Sequence, residues 1–295
     1  MRGAVVARKA LRDMRTAALA VGAVNVLMAA LVIGLYPEFK DMLGDLEELP
    51  PIYQAFLGQA GGYDTPEGFI AAEFFSWIPL LIITVAIIGG TGALAGEESA
   101  GTMDLLLAQP IARWRLVVEK ALGITVALVA MALVALPGFV AMLPFFDTDI
   151  SVWKLALATA GMVPLGLLYL GLSLWAAAAL PTRTSAVVAV VGLAVAAYIL
   201  HTLGAVVPWL DTARKFQPFY WADGSRPLVE GLSAAWAGWN VLLLTLATGT
   251  LACAVYSFER RDIASGAREW GLRQALAAIG ARTPAAKTEA KGLET

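Results

Sequence analysis

The residues best placed to do chemistry lie in one stretch, 97–120. Glu97, Glu98, Asp104, Arg113, Arg115, Glu119 and Lys120 stand there between two runs that contain no Asp, Glu, Lys or Arg, Phe74–Gly96 and Ala121–Phe146. Acids and bases at this spacing offer ion pairing and contact with a partner. They do not offer catalysis, because no acid, base or nucleophile cluster repeats at one depth of the apolar runs. No G-x-x-x-x-G-K-[ST], G-x-S-x-G or H-E-x-x-H occurs anywhere in the chain. The single histidine, His201, excludes a multi-histidine metal site, and the single cysteine, Cys253, excludes an intrachain disulfide. The chain is therefore read as non-enzymatic, with no cofactor and no metal of its own. His201, Asn25 and Asn240 lie inside apolar runs. A polar group there is either a candidate substrate-binding residue or a group satisfied by hydrogen bonds within the helices.

These residues must be positioned by very apolar elements. The chain has 295 residues, 59% hydrophobic and only 15% charged. A soluble domain carries about a quarter charged residues. Charged residues leave six runs free of Asp, Glu, Lys and Arg: Thr16–Pro37, Phe74–Gly96, Ala121–Phe146, Leu155–Thr182, Thr184–Leu210 and Gly231–Phe258. A helix rises about 1.5 Å per residue, so roughly 20 residues cross a hydrocarbon core. The expectation is an all-α integral membrane protein with six transmembrane helices, residues 16–258. A net charge of -2 shows no nucleic-acid footprint.

Six spans put both termini on one side. Sixteen of the 21 Lys and Arg fall on that side, with Lys40, Lys154, Arg214, Lys215 and Arg226 on the other. The positive-inside rule then places both termini and the 97–120 elbow on the cytoplasmic side of the cell membrane. Residues 1–15 repeat apolar positions at helical spacing with Arg8, Arg12 and Arg15 on another face. That pattern predicts an interfacial helix on the inner lipid surface or a basic flank that only fixes topology. Residues 38–73 form the longest outside loop, with an interfacial helix ending at Pro50 and a helix start at Thr65-Pro66-Glu67. Residues 208–230 form the second, and Trp209, Phe216, Phe219, Tyr220 and Trp221 predict an interfacial aromatic belt there. Pro137-Gly138 and Pro164 predict kinks or breaks in the third and fourth spans. Pro181 before Arg183 predicts a tight turn between the fourth and fifth. Residues 259–295 read as a cytoplasmic tail, a short helix to about 280 and then a disordered end.

Within the elbow, Leu105-Leu106-Leu107 is followed by Gln109-Pro110. Proline disfavours helix in the residue before it. The spacing predicts a short helix that stops near Gln109, then a new helix that enters the third span. Glu97 and Glu98 are expected near the start of the short helix, where negative charge suits the dipole.

The stretch Gly96-Glu97-Glu98-Ser99-Ala100-Gly101-Thr102-Met103-Asp104-Leu105-Leu106-Leu107-Ala108-Gln109-Pro110-Ile111-Ala112-Arg113, with Lys120 opening the third span, resembles the membrane-spanning subunit of type-2 ABC exporters. The Phe258–Ile263 end of the last span is similar too. This resemblance implies a permease half that pairs with a second permease, as a homodimer or heterodimer. It also implies separate nucleotide-binding ATPase subunits, which hold the ATP and Mg. Residues 97–110 would be the coupling helix resting in a groove of the ATPase. Glu97, Glu98, Gly101, Thr102, Asp104, Leu105, Leu106, Pro110 and Arg113 are the coupling residues it implies, with Leu105 and Leu106 as apolar anchors. The alternative is a non-transporting scaffold or assembly factor for an extracytoplasmic enzyme, using the 38–73 loop. A membrane-embedded lipid enzyme is disfavoured for want of a catalytic cluster.

Overall fold

The computed structural model describes residues 4–43, 65–103, 112–145 and 150–261. Among them every regular element is helical. Six helical segments are long and apolar enough to cross a bilayer: Val6–Glu38, Pro66–Ser99, Arg113–Ala141, Val152–Ala179, Arg183–Ala205 and Ala234–Arg260. The principal helices of these segments are α1 (Ala4–Leu43), α2 (Ile78–Thr91), α3 (Arg113–Met142), α4 (Val152–Ala179), α5 (Arg183–Val206) and α6 (Ala234–Arg260).

Local chemistry explains where they start. Thr65 caps the short helix Pro66–Glu73 by accepting from Gly68 N at 3.2 Å, with Pro66 in the first turn. This helix leads into α2. Thr182 and Ser185 form a capping box at the start of α5, with Ser185 N donating to Thr182 Oγ1 at 3.1 Å. Ser233 accepts from Trp236 N at 3.1 Å and starts α6.

Three features differ from the sequence expectation. Residues 4–15 and the first span are one continuous helix, α1, and no glycine or proline interrupts residues 4–21. Pro37 does not end it either; the helix runs on to Leu43. Of the kinks or breaks expected in the third and fourth spans, a break is absent at both sites, since α3 runs through Pro137-Gly138 and α4 through Pro164. Gly138 instead serves close packing, since a Cβ there would lie 2.4 Å from Val26 Cγ2 on α1. The remainder of the 38–73 loop, residues 44–64, and the tail 262–295 lie outside the described residues.

Helix α4 is the centre of the bundle. It packs on α6 and α2, while α1 lies along α3. Apolar tails of lipid give no hydrophobic drive between helices, so close approach supplies the attraction. At Gly123 a Cβ would meet the Ala7 carbonyl oxygen at 2.4 Å, which sets how near α1 comes to α3. Helices α5 and α6 are the least enclosed of the six, and on α5 Val188, Leu193, Val195, Ile199 and Leu203 are all exposed. An exposed apolar face is what lipid or another membrane helix requires.

The loop between α5 and α6 folds into short helices, Pro208–Leu210, Asp211–Arg214, Pro218–Asp223 and Pro227–Glu230. Its aromatic residues divide. Trp209 and Phe216 are 79% and 75% exposed, whereas Phe219 is buried against Tyr169, Tyr198 and His201.

Candidate functional site

The elbow begins inside the second span. After α2 the helix widens into a π-helical turn, Gly92–Gly96, and then regains α geometry at Glu97–Ser99. Single π turns place one extra residue in a helix and recur at functional sites. The run ends in a Schellman motif. Thr102 N donates to Glu97 O at 3.0 Å and Gly101 N donates to Glu98 O at 3.1 Å. Gly101 takes φ +70, the left-handed conformation that glycine adopts without a steric cost. Thr102 Oγ1 adds a bond to Glu97 O at 3.2 Å. Gly101 and Thr102 thus terminate the helix.

Glu97 and Glu98 stand in the last turn of this helical run, not at a helix start. Negative charge at a C-terminus opposes the dipole. Cations from elsewhere in the chain offset it. Glu97 Oε1 accepts from Lys9 Nζ of α1 at 2.9 Å, and Glu97 Oε2 pairs with Lys120 Nζ of α3. Lys120 also donates to the Ala93 carbonyl inside the π turn. Glu98 pairs with Arg261, just past α6, at 3.2 Å.

Arg261 extends the link further. Its Nη1 donates to the carbonyls of Ala177 and Ala178, at 2.8 and 3.4 Å. These belong to the last turn of α4, where carbonyls lack intrahelical partners. The Arg261 carbonyl in turn accepts from Arg113 Nη1 at 2.9 Å. Arg183, which opens α5, lies over Gly92 and Gly96; Cβ atoms built there would be 3.7 and 3.8 Å from its side chain. Two glutamates therefore fasten the elbow to α1, α3, α4 and α6.

The links differ in strength. Lys120 is 4% exposed and Glu97 15%, so this pair is nearly dry. Removing one partner of a buried pair costs about 3–5 kcal/mol. Lys9 is 51% exposed, and exposed pairs contribute about 0–1 kcal/mol.

Of the implied coupling residues, Glu97, Glu98, Gly101, Thr102 and Arg113 gather around this clamp. Asp104, Leu105, Leu106 and Pro110 lie outside the described residues. Sequence reasoning did not single out Lys9, Lys120 and Arg261 as partners of the two acids. Part of the signal was present, since Lys120 directly precedes the run Ala121–Phe146 and Arg261 lies just after the run Gly231–Phe258, whereas Lys9 is one of several basic residues ahead of Thr16.

The three polar candidates inside the spans do not form one site. Asn25 is 2% exposed, and it lines a narrow gap with Phe74, Phe75 and Met131. Asn240 Nδ2 donates to Trp236 O at 2.8 Å, within its own helix. His201 Nδ1 lies 2.9 Å from Gln217 Nε2. Gln217 Oε1 accepts from Phe219 N at 2.8 Å, which fixes the amide orientation. Gln217 therefore donates to Nδ1, and the neutral imidazole carries its proton on Nε2.

His201 also borders a cavity of about 450 Å3 at the bundle end opposite the elbow. Glu73, Arg214, Asp223 and Arg226 line it as well. Enclosure pushes the Asp223 carboxyl up to about 6, while Arg226 and Arg214 pull the other way. Among the described residues no group of His, Cys, Asp and Glu is arranged to hold a metal ion.

An all-helical chain with six apolar spans and an ion-paired elbow at one bundle end is a multi-pass membrane protein. Residues 4–263 match the family model described as ABC-2 family transporter protein. The chain belongs to that family and is a membrane subunit of an ABC transporter. No curated protein matches the chain significantly.

Proposed function

We propose that the chain is the permease half of an ATP-driven exporter in the cytoplasmic membrane. Both termini and the elbow face the cytoplasm, as the lysine and arginine bias supports. A second permease, identical or different, completes the membrane part. Separate nucleotide-binding subunits hold ATP and Mg and supply the hydrolysis; this chain keeps no cofactor.

One observation carries the reading. The elbow is fastened by Glu97 and Glu98 to α1, α3, α4 and α6. A displacement of 97–113 by the ATPase is therefore passed to four spans at once, and not absorbed in a loose loop. The nearly dry Glu97–Lys120 pair is the stiffest of these links. Leu105 and Leu106 are the apolar anchors in the ATPase groove. The transported molecule belongs to the apolar or amphipathic class, a lipid, drug or peptide, which suits spans with few polar groups.

The test is Leu106→Asp in the reconstituted complex. Substrate-stimulated ATP hydrolysis should fall to the basal level while the melting temperature of the permease is unchanged. Full stimulation in that variant removes the coupling claim.

A further inference from the structure

The cavity opposite the elbow is built from four separate parts of the chain, one of them α4. Glu73 comes from the helix before α2, His201 from α5, and Arg214, Tyr220, Asp223 and Arg226 from the loop before α6. Its volume of about 450 Å3 falls within the range of small-ligand sites. Phe75 and Met162 supply apolar wall. Trp77 also lines it and is 54% exposed.

The polar groups are specific. Arg214 stacks over the Tyr220 ring, 5.3 Å from its centroid, and pairs with Asp211 at 3.4 Å. Its Nε is buried and has no hydrogen-bond partner among the described residues. The His201 tautomer leaves a donor, Nε2–H. Arg226 has φ 46, the one positive φ at a non-glycine among the described residues. Its N donates to Asp223 O at 2.8 Å, and its carbonyl accepts from Glu230 N at 2.8 Å. Strained backbone of this kind collects at ligand clamps.

Arg214 and Asp223 bring a guanidinium and a carboxylate to the same cavity. A simple anion would meet the carboxylate, and a simple cation would meet the guanidinium. A dipolar group satisfies both signs at once. We propose that this cavity binds a zwitterionic head, an ammonium and an oxyanion on one small group, with Arg214 facing the oxyanion and Asp223 the ammonium. Such a head comes either from a phospholipid, as in phosphatidylethanolamine, or from a free solute, as in phosphoethanolamine. The site is independent of the coupling reading, because it requires neither ATP nor a partner.

The test is native mass spectrometry and calorimetry on the full chain in mild detergent. The probes are phosphatidylethanolamine, phosphatidylglycerol and free phosphoethanolamine. One phosphatidylethanolamine per chain, weakened about tenfold or more in Arg214→Gln and in Asp223→Asn, supports a lipid head. Phosphoethanolamine binding with the same pattern supports a free solute. Equal binding of phosphatidylglycerol overturns the proposal, as does binding of neither zwitterion or indifference to both substitutions. Ser76→Trp fills the cavity and keeps its charges. If the charge variants fail to fold, this variant decides: loss of binding supports the site and full affinity overturns it.

Discussion

The clamp makes its sharpest claim at Glu97. One carboxylate holds two lysines, and the geometry says the two pairs are unequal. Lys120 is 4% exposed, Lys9 51%. Two unit charges at about 3 Å in an effective dielectric near 20 attract by about 5 kcal/mol. Desolvation of Lys120 and Glu97 takes back part of that gain. The Lys120 ammonium also keeps its bond to the Ala93 carbonyl when Glu97 is neutralised, which softens the loss. A coupling energy of about 2–3 kcal/mol is therefore expected between Glu97 and Lys120. Between Glu97 and Lys9 it should be below about 1 kcal/mol and fall further in high salt. The assay is a pair of double-mutant cycles, Glu97→Gln with Lys120→Met and Glu97→Gln with Lys9→Met, read by reversible unfolding in mixed micelles. A Glu97–Lys120 coupling under about 0.5 kcal/mol, or a larger coupling to Lys9, would refute the claim that a dry ion pair ties the elbow to α3.

Other substitutions separate backbone from packing. Gly101→Ala meets no atom within 4 Å but must adopt φ +70, so it should cost about 1 kcal/mol in the same unfolding assay. Gly123→Ala places a Cβ against the Ala7 carbonyl at 2.4 Å, and it should destabilise by about 1–3 kcal/mol. Gly192→Ala has open space and a helical backbone, so it should stabilise by about 0.5–1 kcal/mol. Burial pushes the Asp223 carboxyl up to about 6, above the ordinary value of 3.8. Between those values the folded state binds more protons than the unfolded state. Stability should therefore fall as pH rises from about 4 to 6, by at most about 3 kcal/mol. Asp223→Asn should flatten that slope in melting curves recorded across the range. An unchanged slope would place the titration elsewhere.

What the chain states locally could be read without its fold. Six charge-free runs determine six spans, because bilayer thickness sets a helix length and every backbone polar group must be satisfied within the segment. Thr65-Pro66 announces a helix start for the same reason, since an N-cap acts across three residues. Proline did not break the helix at residue 137. Its cost to a helix is local, but the neighbouring helix that keeps α3 continuous there is not.

Tertiary structure alone decided the partners. Glu97 finds Lys9 across 88 positions, and Glu98 finds Arg261 across 163. No periodicity links such residues. Only the packing of α1 on α3 and of α4 on α6 brings their charges to one end of the bundle. The cavity at the other end has the same origin, with Glu73, His201 and Asp223 drawn together from distant segments. Sequence determines which segments enter the membrane because that depends on apolar length. Which charges meet at the membrane faces depends on how the spans pack.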